Sequence, residues 1–113
     1  MAATCCVHTD GNASRVSIET DGRPVAAADI VDDGTVVLLR FRVDGGHLPM
    51  QVRHQLMQAV FDLPALQSRR AVQASIPLGD VDLLAGLRTH CADVDTRAAG
   101  STCLVDAVAK GEG

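Results

Sequence analysis

Val36-Val37-Leu38-Leu39-Arg40-Phe41-Arg42-Val43, then a Gly45-Gly46 break, then Pro49-Met50-Gln51-Val52-Arg53-His54-Gln55-Leu56-Met57-Gln58-Ala59-Val60-Phe61-Asp62 decide the fold. The first run is the most strand-like in the chain. Val37, Leu39, Phe41 and Val43 share one face, which must be core. Val36, Leu38, Arg40 and Arg42 share the other, which turns from apolar to basic and is expected to be covered at one end and wet at the other. In the second run, Val52, Leu56, Ala59, Val60 and Leu63 form one stripe at helical spacing, fit to face a sheet. Pro49 suits the first helical turn, and Leu63 before Pro64 ends the helix. A buried strand feeding an amphipathic helix begins a β-α crossover.

Working outward, Arg15-Val16-Ser17-Ile18-Glu19 alternates as a short strand, Asp21-Gly22 is a hairpin signal, and Val25 to Val31 returns. Asp32-Asp33-Gly34 is a second turn, so three strands form an antiparallel meander. Arg70 to Ile76 reads as the strand reached by the crossover, ended by Pro77. Asp80 is placed to cap a second helix with Leu83, Leu84, Leu87 and Cys91 along one face. Ala99-Gly100 precedes a last strand from Thr102 to Val108. The expected fold is α/β (α+β), a mixed sheet in the order β-β-β-α-β-α-β. Residues 15–108 form its single domain, with flexible tails over 1–14 and 109–113.

Composition narrows function by exclusion. The chain has 113 residues, 47% hydrophobic and 21% charged, which suits one globular domain. A net charge of −4, with no Trp, no Tyr and two Phe, argues against nucleic acid. No apolar run is long enough to span a bilayer and no signal peptide is recognisable, so a cytoplasmic location and no membrane partner are expected. Nine Arg to one Lys and twelve Asp to two Glu match the coding bias of a GC-rich genome and point to an actinobacterial source.

At this point the order of elements resembles the central and C-terminal part of the GNAT acyltransferase fold, over Arg15 to Val108. Ala74-Ser75-Ile76-Pro77-Leu78-Gly79-Asp80 with Leu83-Leu84-Ala85-Gly86-Leu87 looks like that family's fifth strand entering its fourth helix. The family holds acyl-CoA pyrophosphate on the amides of a Q/R-x-x-G-x-G/A turn at a helix N-terminus. The matching place here reads Asp44-Gly45-Gly46-His47-Leu48-Pro49: the glycines are misplaced, Asp44 adds negative charge and Pro49 removes an amide. The resemblance therefore implies the scaffold without that cofactor site. No cofactor is expected, and acetyl-CoA is not expected to bind at physiological concentration.

Several residues are candidates for a site. Met50, Met57 and Phe61, with His54 among them, form a second apolar stripe on the first helix. A helix covering one sheet needs one stripe, so the second is expected to be an interface, with a homodimer or a protein partner. Arg40, Arg42, Arg69 and Arg70 would make an anion-binding patch if they met at one end of neighbouring strands; a solvated edge paired with aspartates is the competing reading. Asp44 and His47 could do acid–base work near a helix start, against a plain polar turn. Cys5, Cys6 and His8, with His90-Cys91, are metal-capable but match no zinc spacing. Cys5 and Cys6 are expected to be exposed, and Cys91 and Cys103 protected. No P-loop, Gly-x-Ser-x-Gly or HExxH occurs. The first reading is a small, non-enzymatic, homodimeric binding domain. The alternative is an acyl-CoA-binding or degenerate GNAT-like domain, and a thiol- or metal-responsive protein comes third.

Overall fold

The computed structural model describes residues 3–44 and 49–111. Its strands are β1 (Ala3–Asp10), β2 (Ala13–Thr20), β3 (Arg23–Asp32), β4 (Val36–Val43), β5 (Arg70–Pro77), β6 (Cys91–Ala99) and β7 (Thr102–Ala109). Helix α1 (Met50–Phe61) joins β4 to β5, and α2 (Val81–His90) joins β5 to β6. All seven strands form one sheet in the order β1-β2-β3-β4-β5-β7-β6. The single parallel pair is β4 with β5, as a crossover through α1 demands. The mixed sheet with two helices is the expected class.

Local chemistry explains the turns. Asp21 and Gly22 both take positive φ, 54° and 76°, the mirror-image turn that suits a two-residue hairpin. At the next corner the Asp33 carboxylate accepts from the N–H groups of Thr35 and Val36, and Asp32 accepts from Gly34. Arg70 then grips the Asp32 carboxylate with both terminal nitrogens, at 2.6 and 3.0 Å. That bond first, then the Gly34 amide, holds Asp32 at about 2.

Two strands lie outside the expected order. The segment read as an N-terminal tail is β1, zipped to β2 from Ala3 opposite Thr20 to Asp10 opposite Ala13. As an edge strand it buries little, so its sequence lacks the apolar alternation that marks inner strands. Residues 91–99, read as the end of the second helix and its loop, are β6. Its register slips between Ala92 and Asp95, with Asp93 at φ 55°, which hides the two-residue period. The C-terminal tail also begins later than expected: Ala109 is fully buried and the Lys110 N–H bonds to His90.

Both helices pack on one face of the sheet. Val16, Ile18, Ala28, Ile30, Val37, Leu39, Val72, Ile76 and Val105 meet Leu56, Val60, Leu83 and Leu87 there. Gly86 lets the helices close, since a Cβ on it would stand 2.9 Å from the Met57 Cγ. The other face carries no helix among the described residues. On it Val36 is half-buried while Leu38, Arg40 and Arg42 are exposed, so the second face of β4 is open from Leu38 onward.

Candidate functional site

The sheet parts between β4 and β5. Their ladder runs from Val36 opposite Ala71 to Arg40 opposite Ser75 and stops there, although β4 continues to Val43 and β5 to Pro77. The cause is a missing donor. The Asp44 N–H donates to the Val25 carbonyl at 2.8 Å, so even-numbered residues of β4 turn their backbone to β3, while Phe41 and Val43 turn theirs to β5. On β5 the Leu78 N–H donates to Ser101, so Ser75 and Pro77 face β4. The next rung would run from the N–H of residue 77 to the Phe41 carbonyl, and a proline has no N–H.

The resulting cleft is about 430 Å³, lined by Arg40, Phe41, Arg42, Val43, Ser75, Ile76, Pro77, Ser101 and Thr102. Its floor offers the Phe41 carbonyl and both backbone groups of Val43, a strand edge that an amide-bearing chain can pair with. Its walls add hydroxyls and two guanidinium groups. Arg42 shares the Asp29 carboxylate with Arg15, at 3.1 and 2.7 Å. The cleft opens onto a trough on the helix-free face that shares Arg40, Ser75 and Thr102 with it. Among the described residues, no carboxylate, imidazole, thiol or phenol lines the cleft. A larger groove, about 910 Å³, lies between β1 and α1 with Cys5, His54, Gln51, Gln55 and Gln58 on its walls.

Replacing Pro77 with alanine restores the donor. Pro77→Ala is expected to zip one more rung and protect the residue-77 amide from hydrogen exchange. The new bond is worth about 1 kcal/mol and the lost proline costs a similar amount, so stability should hardly change. A freely exchanging amide at residue 77 contradicts this origin of the cleft.

The expected site residues are scattered. Met57 and Phe61 are 2% and 6% exposed, covered by α2, so the second stripe on α1 is an intramolecular contact rather than an interface. Met50 is 66% exposed, and His54 is exposed on the groove wall. Arg40 and Arg42 lie toward the far end of β4, whereas Arg69 and Arg70 lie beside its start, because the two strands run parallel. The four do not form one patch, and Arg70 is committed to Asp32. Asp44 follows β4, while His47 lies outside the described residues. Pro49 is the N-cap of α1 rather than its first helical residue. Cys5 and Cys6 project to opposite faces of β1, so the pair does not chelate, and no group of three metal-capable side chains converges among the described residues. Cys6 is exposed and Cys5 half-buried; Cys91 and Cys103 are buried. Burial lifts the Cys91 thiol to about 11.

His90 stacks on Phe61, ring centroids 4.6 Å apart and nearly parallel. Burial, then the nearby charge of His54, lowers its pKa, against the pull of Asp62. A lowered folded-state pKa means the unfolded chain binds the proton more readily. Stability is then full above the ordinary histidine value near 6.5 and falls as the pH drops through the lowered one. Thermal melts at pH 7.5 and 5 should show this loss, and His90→Gln should reduce it. An equal loss in the variant would remove His90 from the account.

No family model and no curated protein matches the chain by sequence. Solved structures do match its fold. A GNAT-family acetyltransferase from Streptococcus pneumoniae superposes with a TM-score of 0.64 at 11% identity, over 91% of this chain and 70% of that one. The Campylobacter jejuni N-acetyltransferase PseH, solved in complex with acetyl coenzyme A, gives 0.52 at 12%, over 86% and 68%. The GNAT domain of the S. lividans protein PAT gives 0.59 at 11%, over 88% and 62%. The chain therefore has a GNAT-like fold. No helix is long and apolar enough to cross a membrane among the described residues.

Proposed function

We propose that this chain is a degenerate GNAT-like domain that holds the pantetheine arm of an acyl-CoA in the β4–β5 cleft and does not transfer the acyl group. The observation that carries this reading is the early end of the parallel ladder at Arg40 and Ser75. A pantetheine arm is thin and carries two amides, which suits a strand edge where the Phe41 carbonyl and the Val43 N–H lie beyond the end of the β4–β5 ladder. The likeness to acetyltransferases, one of them solved with acetyl coenzyme A, supports this reading over an interaction domain without a small ligand. That no proton-transfer group stands among the described residues lining the cleft supports binding without transfer. The sequence Asp44-Gly45-Gly46-His47-Leu48-Pro49 supports weak binding, because it lacks the spacing that would offer amides to a pyrophosphate. A cytoplasmic location belongs to the same proposal, since acyl-CoA is a cytoplasmic metabolite class and the four thiols are free.

Amide shifts of the isotope-labelled protein on titration with acetyl-CoA test it. Saturable shifts at Phe41, Val43, Ser75 and Ser101 are expected, with a midpoint on the order of hundreds of micromolar, about −5 kcal/mol. No response at these amides in millimolar ligand would defeat the binding half. Release of free CoA thiol in the presence of amines would defeat the non-catalytic half.

A further inference from the structure

We propose that the free edge of β1 is a homodimer interface, at which two copies pair antiparallel across a two-fold axis through Cys6 and extend one continuous sheet. This goes beyond the cleft reading and does not depend on it.

The two edges of the sheet are built differently. β6 has the guards that natural edges use: a register slip, Asp93 at φ 55°, and Asp93, Asp95 and Arg97 within the strand. β1 lacks the slip and the positive φ, and its one acidic residue, Asp10, stands at the hairpin end. It pairs with β2 without a slip and contains no proline, lysine, arginine, aspartate or glutamate from Ala3 to Thr9. Val7 on this strand is 53% exposed, among the few large apolar side chains left in solvent.

Register follows from the hairpin. Asp10 lies opposite Ala13 across a two-residue turn, which makes them a hydrogen-bonded pair. Alternation then commits Thr4, Cys6, His8 and Asp10 to β2 and turns the backbone groups of Ala3, Cys5, Val7 and Thr9 outward. A two-fold axis normal to the sheet keeps the helices of both copies on the same side, so residues of like face must meet. With the axis at Cys6, Ala3 meets Thr9 of the second copy and Cys5 meets Val7. Every outward N–H and C=O of those four residues is then satisfied. With the axis at Val7, those of Ala3 have no partner in the strand. The Cys6-centred register is therefore the preferred one, and it places no like charges opposite each other. It also sets the two Cys6 residues at a non-hydrogen-bonded position, where Cα atoms lie about 4.5 Å apart, within disulfide reach.

The test uses the full chain in reductant. Light scattering of the wild type at about 100 μM is expected to give twice the chain mass, as for a dissociation constant in the micromolar range. Val7→Pro removes an N–H that β2 does not use, so the fold should persist by circular dichroism while dimerisation weakens at least about tenfold. If Val7→Pro unfolds, Val7→Arg decides, with the same loss of dimer expected. In a separate arm, diamide, which takes up the two thiol protons and two electrons, should link chains through Cys6. Cys6→Ser should abolish that link and Cys5→Ser should keep it. A monomeric wild type in reductant, a folded Val7 variant that stays dimeric, or linkage through Cys5 instead would each overturn the proposal.

Discussion

Phe61→Asp should leave no folded protein at 25 °C, with the far-ultraviolet dichroism of a disordered chain at all concentrations. Phe61 is 6% exposed between α1, α2 and the His90 ring. Truncating such a ring costs about 3–5 kcal/mol, and a buried carboxylate without a partner adds several more. A domain of this size has about 5–15 kcal/mol in total. The same substitution on a true interface would have left a folded monomer, so the outcome separates the two meanings of the second stripe on α1. A folded, soluble Phe61→Asp protein would show that α2 does not cover Phe61 in solution.

Asp80→Ala is expected to cost about 3 kcal/mol, a fall in Tm of roughly 12 °C. One carboxylate does two jobs. It caps α2 by accepting from the Leu83 N–H at 3.1 Å, and it receives the Arg53 Nε at 3.0 and 3.1 Å, tying α1 to the start of α2. The pair is mostly out of solvent, with Arg53 16% and Asp80 8% exposed, so screening discounts it little. Asp80→Asn keeps a capping oxygen and loses the charge, so it should fall between wild type and Asp80→Ala. Equal melting of the two variants would mean that the ion pair contributes nothing and the cap everything.

The inner sheet was legible because burial writes itself into sequence. Val37, Leu39 and Phe41 had to alternate, and Asp21-Gly22 and Asp80 are local signals whose chemistry works at short range. β1 and β6 were not legible for the complementary reason. These edge strands bury few side chains even on the covered face, and the slip at Ala92 to Asp95 breaks the two-residue period of β6. The sequence shows that the Met57/Phe61 stripe is apolar, but not whether the partner of a second face is another chain or, as here, a later helix. The cleft had a visible signal that the spacing of motifs does not use. Pro77 sits within the sheet, on a strand with neighbours on both sides, where a missing N–H must open something. Knowing which carbonyl it orphans needs the parallel register with β4, and register is a property of the folded sheet.

If the cleft holds the pantetheine arm and the sequence from Asp44 to Pro49 offers the pyrophosphate nothing, a comparison of two ligands shows it directly. Calorimetric titration of acetyl-CoA and of S-acetylpantetheine measures what the nucleotide adds. With the pantetheine arm carrying the binding, the two dissociation constants should agree within about threefold, a difference under about 0.7 kcal/mol. Acetyl-CoA binding about a hundredfold tighter than S-acetylpantetheine, near 2.7 kcal/mol, would mean that the sequence from Asp44 to Pro49 serves the pyrophosphate after all.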